Sequence, residues 1–205
     1  MATETPAEGR LACAARARRR NLVPRMTAGA LLALMASRLI GWEAVTPWIG
    51  VYAIAQMGEL WAWSPVTSGE SERLPIWRAA LGCLAISINA AAFSAICIPL
   101  WILGGSLGGI CSAFVLTAAI VNAVVVSPAS RVILAASLGP QFAYVGAMIY
   151  FMRYFGASPD FEKAGALGGI VFCAYSILLW RMLEKTREAE AAARVFSSMR
   201  HKRIE

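Results

Sequence analysis

The chain has 205 residues, of which 59% are hydrophobic and only 15% charged, with a formal net charge of +7 and a mean hydropathy of +0.60. A soluble domain usually carries about 25% charged residues, and a disordered chain pairs low hydrophobicity with high net charge; both classes are excluded. The length holds about six or seven membrane helices of roughly 20 residues each, with no room beside them for a catalytic domain of about 100 residues.

In chain order, residues 1–25 are polar and basic, with Arg10, Arg16, Arg18, Arg19, Arg20 and Arg25. They are expected to form a disordered cytoplasmic arm near anionic head groups. A weak apolar stretch, Met26 to Ile40, is interrupted by Arg38, and a second runs from Val45 to Trp63 with Pro47 and Glu59 inside it. Ser64 to Arg78 reads as a polar linker. Span three, Ala79 to Leu103, is free of charge and ends at a Gly104-Gly105 break. Span four covers Ser106 to Val126, and Ser127-Pro128-Ala129-Ser130 has the composition of a turn. Span five, Val132 to Phe151, contains Pro140; a polar loop, Arg153 to Gly165, precedes span six, Ala166 to Leu179. Lipid leaves backbone amides no outside partner, so such segments are helices, and they lack the alternation of barrel strands. The expected architecture is all-α: a six-helix transmembrane domain over residues 26–180, followed by a cytoplasmic linker helix over 181–205.

Charge supports this count. With the N-terminus inside, the cytoplasmic segments collect sixteen of the nineteen Lys and Arg residues, leaving Arg38, Arg153 and Lys163 outside, as the positive-inside rule requires. Trp42, Trp48, Trp61, Trp63, Trp77, Trp101 and Trp180 all fall near proposed span ends, where indoles form interfacial belts. An alternative for the start is a secretory signal cleaved near Ala36, since arginines followed by Thr27 to Leu34 have its charged and apolar regions.

Several residues are candidates for function. Glu59, near the inner end of span two, is a carboxylate at membrane depth, where such groups are costly and often functional; the structural alternative pairs it at the interface with Arg73 or Arg78. Asn89 and Asn122, at mid-membrane depth, suit hydrogen bonds between helices and are minority candidates for ligand contact. Arg38 is expected to snorkel outward, pair with Glu43 or meet a lipid phosphate. Pro140 should kink span five and free a carbonyl one turn earlier. Gly104, Gly105, Gly108 and Gly109, with Gly165 and Gly169, have the four-residue spacing of close helix packing. Cys13, Cys83, Cys97, Cys111 and Cys173 form no C-x-x-C pair and read as reduced packing residues. The single histidine, His201, has no second ligand nearby, so neither a metal nor a cofactor is expected.

From Arg181 to Glu205 the chain has no glycine or proline, which favours one helix continuing out of span six. Glu190 with Arg194 and Glu184 with Arg187 are spaced as supportive pairs. Met182, Ala189, Phe196 and Arg203 fall on one heptad position, and Leu179, Thr186, Ala193 and Arg200 on another, a seam weakened by its two arginines. The helix reaches Glu205 without a stop signal and so reads as a linker to an output domain outside this chain.

Span six with its continuation, LLWRMLEKTREAEAAARVFSSMRHKRIE, resembles the membrane-embedded input region of bacterial sensor histidine kinases, in which short-looped helices run into a charged helix that enters the dimerisation domain. The resemblance implies an inner-membrane sensing and anchoring module without enzymatic activity. Its partners would be the lipid bilayer, a second copy paired through the C-terminal helix and a cytoplasmic output domain, with Met182, Ala189 and Phe196 relaying the signal; nucleic acid is not implied. The chain departs from such kinases in having neither a phosphoacceptor H-E pattern nor an ATP-binding glycine motif. A small transporter or channel, with Glu59, Asn89, Asn122 and the Pro140 kink along its path, is a second possibility. A structural subunit docking a soluble partner through the charged tail is a third.

Overall fold

A computed structural model describes residues 6–68, 75–127 and 130–201. Among these the chain is all helical: α1 Pro6–Arg20, α2 Leu22–Ile40, α3 Trp42–Ala62, α4 Ser64–Thr67, α5 Ile76–Ser94, α6 Cys97–Val126, α7 Arg131–Tyr154 and α8 Pro159–His201. Four stretches are long and apolar enough to cross a membrane: Leu22–Ile40, Ile76–Val126, Arg131–Tyr154 and Pro159–Glu190. The second of these contains both α5 and α6.

The helices α2, α3, α5, α7 and α6 pack in that spatial order into a ring, closed where α6 meets α2, and α8 lies against α6 and α7. One end of the ring is filled by Leu32, Ala36, Val45, Ile96, Leu100 and Leu116. The other is filled by Trp63, Ile86 and Ile133, capped by Ala14 and Ala15 of α1. The face of α3 that meets the ring carries Trp48, Tyr52, Gln56 and Glu59, whereas Val51, Ile54, Met57 and Trp61 point outward and are exposed.

Residues 6–25 of the expected arm are therefore helical and packed, not loose. α1 places Leu11, Ala14, Ala15 and Arg18 along one stripe at helical spacing, and the last three are buried against the ring. Asn21 interrupts the helix between α1 and α2, and α2 buries Gly29, Leu32, Ala33 and Ala36.

The break expected between Leu103 and Ser106 is at Gly105, whose φ of 58° and ψ of −146° reverse the chain inside α6; such a conformation suits glycine. Residues 97–104 fold back on the later turns of α6. A Cβ on Gly108 would collide with the carbonyl of Leu100, and one on Gly109 would lie 2.7 Å from the Trp101 ring. Ser112 Oγ donates to the Cys97 carbonyl at 3.2 Å. Pro99 lacks the N–H that would bond Ala95, and the chain bends at Ala95–Ile96, ending α5 at Ser94 rather than running straight to Leu103.

Of the other glycines expected at contacts, Gly165 would meet Met152 Sδ at 2.7 Å and Gly169 Val145 at 3.1 Å, across the α7–α8 interface. Gly104 makes only an ordinary contact with Ile40, and Gly105 has open space around it: it turns the chain and packs nothing. Pro140 leaves the Ala136 carbonyl without its helical donor, and Ser87 Oγ of α5 supplies a hydrogen bond to it at 2.9 Å.

The tryptophans do not form a uniform belt. Trp42, Trp61 and Trp77 are exposed, but Trp48, Trp63 and Trp180 are core residues. Each of the three donates its indole N–H to a backbone carbonyl, of Ala92 at 2.8 Å, Gly82 at 3.2 Å and Ser127 at 3.4 Å respectively.

Candidate functional site: a buried ion cluster at Glu59

The polar centre of the molecule is built around Glu59, which is 3% exposed. Arg18 of α1 grips the carboxylate with both prongs, Nε to Oε1 at 2.8 Å and Nη2 to Oε2 at 3.1 Å. Such a paired geometry gives the strongest and most directional ion pair available to side chains. Arg25 of α2 donates through Nη1 to both carboxylate oxygens at 3.1 Å. Asn89 Nδ2 of α5 donates to Oε2. Arg18 also donates through Nη1 to Ser137 Oγ of α7 at 3.0 Å. One carboxylate thus joins five helices.

A second layer fixes Arg25. Its Nη2 donates to the Arg18 carbonyl at 3.3 Å, and Tyr52 donates its hydroxyl hydrogen to the Arg25 carbonyl at 3.3 Å. Gln56 Nε2 then donates to the Tyr52 oxygen at 2.6 Å. Removing one partner of a buried ion pair typically destabilises by about 3–5 kcal/mol, because the other charge is stranded. The cluster has two guanidinium groups on one carboxylate, so a net positive charge stays within it.

Beside the cluster, inside the ring, is a cleft of about 160 Å³ lined by Arg25, Gln56, Asn89, Asn122, Ser137 and Gln141 among others. A larger apolar cleft of about 540 Å³ opens near Gly105, walled by Trp101, Met148, Met152, Phe155 and Phe161; Trp101 stacks on Phe151 and Phe155 there.

Glu59 does not pair as the sequence suggests. Its partners come from the N-terminal arginines; Arg78 stands against the Trp77 ring at 5.5 Å, and Arg73 lies outside the described residues. Asn89 binds Glu59 directly. Asn122 is exposed at the edge of the cleft and joins no helix pair by a hydrogen bond among the described residues. Pro140 does not line the cleft, although its neighbours Ser137 and Gln141 do. Arg38 is exposed and forms no ion pair among the described residues. Sequence reasoning missed Arg18, Arg25, Tyr52, Gln56, Ser137 and Gln141. A signal for Arg18 was present: the Leu11, Ala14, Ala15, Arg18 stripe marks a helix with one buried face.

Midway along α8, Trp180 reaches Ser127, and Arg131 stacks 5.7 Å from the Trp180 ring and pairs with Glu184 at 3.4 Å. Glu184 therefore takes a partner on α7 rather than Arg187. Met182 and Ala189 are exposed on α8; the side chain of Phe196 and the Glu190–Arg194 pairing lie outside the described residues. The described cysteines are free thiols, and among the described residues no cluster of three His, Cys, Asp or Glu side chains suits a metal. No family model, no curated protein and no solved structure matches this chain.

Proposed function

We propose that this chain is the membrane-embedded input and anchoring module of a two-component-type signalling protein. In this reading α2, α3, α5 with the start of α6, the rest of α6, α7 and the first half of α8 cross a bacterial inner membrane, and both ends face the cytosol. The polar-in, apolar-out arrangement of α3 supports its membership: Val51, Ile54, Met57 and Trp61 would face lipid, while Gln56 and Glu59 are satisfied inside. The sixteen-to-three asymmetry of basic residues supports the orientation.

The observation that carries the proposal is α8. Its 43 residues make a rod of about 65 Å, against a hydrocarbon core of about 30 Å. The rod packs on α7 from Gly165 onward, and its last polar ties to the bundle among the described residues are Trp180 and Glu184, which touch the α6–α7 connection and the first turn of α7. A shift of α6 or α7 would therefore reach the far half of α8 as a displacement or rotation. Two copies would pair these halves in parallel and pass the change to an output domain.

The test is cysteine crosslinking in native membranes of the full chain. Single cysteines at Ala189 and Phe196, in a background lacking the native cysteines, are expected to give crosslinked dimers, while an exposed control such as Ile54→Cys gives far fewer. A monomeric pattern at both tail positions, or a reporter fusion placing the end of α8 outside the cytosol, overturns the reading. The transporter alternative draws less support from the cluster, because the intramembrane carboxylate is capped by two guanidinium groups.

A further inference from the structure

We infer that the apolar cleft near Gly105 holds one acyl chain of an outer-leaflet phospholipid, bound between α6, α7 and α8 with its headgroup at the α7–α8 connection. The inference rests on the membrane-spanning part of the preceding reading and not on its signalling part.

The cleft of about 540 Å³ has a continuation. A second one, of about 160 Å³, shares its walls Ala113, Met148 and Met152 and runs on to Leu116 and Phe172. Along α8 the two extend from Phe161 to Phe172, about 16 Å at helical rise. That is half of a hydrocarbon core of about 30 Å, the depth of one leaflet. Beyond Phe172 the same three-helix junction is solid: Ile120, Val124, Leu134, Leu138 and Trp180 form a buried cluster against which Phe142 and Phe172 pack. One half of a single junction is thus packed and the other half empty, although protein interiors leave few voids larger than a water molecule.

The sequence accounts for the difference. To the open half α6 gives Gly105, Gly109 and Ala113, and α8 gives Gly165, Gly168 and Gly169. To the filled half the same helices give Ile120 and Val124, and Leu179 and Trp180. A Cβ on Gly168 would meet nothing within 4 Å.

The lining also dictates the occupant. It contains no Asp, Glu, Lys or Arg, which suits an uncharged chain and gives an ionic ligand nothing to hold. Ion pairs begin at the outer mouth: Phe161 is flanked by Asp160 and Glu162, which pair with Lys163 at 3.5 Å and Arg153 at 3.3 Å. A phospholipid has this layout, an apolar tail followed by a polar head. A helix from a second copy, about 10–12 Å across with its side chains, is too thick for this space. Its walls already touch, since Gly165 and Gly169 of α8 receive Met152 and Val145 of α7, and α8 also meets α6.

The experiment is native mass spectrometry of the full chain purified in a non-ionic detergent, with bound lipid identified after extraction. We expect one phospholipid retained per protomer, without preference between phosphatidylethanolamine and phosphatidylglycerol of identical chains, because the slot reads the tail. Gly168→Leu and Ala113→Leu should each lower that occupancy at least about tenfold, since a leucine side chain takes the room of several methylenes. Both add bulk to open space, so both should keep the helical circular dichroism of the parent. Gly146→Leu, at an exposed position of α7 that lines neither cleft, should keep its lipid.

A parent chain that retains no lipid overturns the inference. So does retention unchanged in both slot variants, or lost equally in Gly146→Leu. Recovery of a free fatty acid, or of a dimer that Gly168→Leu dissolves, overturns it by naming a different occupant. None of these outcomes alters the crosslinking expected at Ala189 and Phe196, so the two readings fall separately.

Discussion

The two ends of the helical ring are held together by opposite means. At the Glu59 end, five helices converge on one carboxylate through directional bonds from Arg18, Arg25 and Asn89, with Ser137 attached through Arg18. At the Gly105 end, the only ion pairs among the described residues are exposed ones on the α7–α8 connection, and closeness is achieved by removing side chains: Gly108 lets the Leu100 backbone approach, and Gly109 receives the Trp101 ring. The first end is specific because a charge taken out of water needs particular partners. The second is specific because only a hydrogen atom fits. One end therefore fails by electrostatic stranding and the other by collision.

The largest effect should come from Glu59→Gln. It leaves two buried guanidinium groups with no counter-charge and is expected to lower stability by about 3–5 kcal/mol, measured by reversible unfolding in mixed micelles. Arg18→Met, which leaves Glu59 with Arg25, should lose clearly less; equal losses would show that the carboxylate is not the hub. At the opposite end, Gly108→Val is expected to lose about 1–3 kcal/mol by overpacking, while Gly105→Ala acts through its positive φ alone. If Gly108→Val is silent in the same assay, the close approach of residues 97–104 is wrong. Smallest, Trp180→Phe keeps an aromatic six-membered ring but removes the bond to the Ser127 carbonyl and some packing, for about 1–2 kcal/mol. That substitution sharpens the contrast, since it should loosen α8 without moving either end of the ring, as read by proteolysis between Lys185 and Arg187.

Much of this architecture can be read from residues alone, and the parts that cannot share a cause. The reversal at Gly104-Gly105 is local, because two adjacent glycines in an apolar run leave few other outcomes. The carbonyl freed by Pro140 is equally local, fixed by a missing N–H, although its acceptance by Ser87 is not. Glu59 stands out by being a carboxylate in an apolar stretch. Its partners do not: Arg18 is 41 residues away in a segment whose arginine excess has the composition of a surface arm, and one sequence carries no record of long-range pairing. The tryptophans mislead for a related reason. An indole suits an interface and a core equally well, and whether Trp63 meets lipid or the Gly82 carbonyl depends on which helix lies opposite. Gln56 and Gln141 are inconspicuous until three-dimensional proximity places them around one cleft.

The bond from Arg18 to Ser137 spans 119 residues of sequence. Chains are made from the N-terminus onward, so α1 leaves the ribosome long before α7 exists to receive it. Its seat is made by α3, α5 and α7, and its guanidinium is neutralised there only by the carboxylate of Glu59. The earliest of the described helices to be synthesised therefore completes its contacts only after α7 has been made.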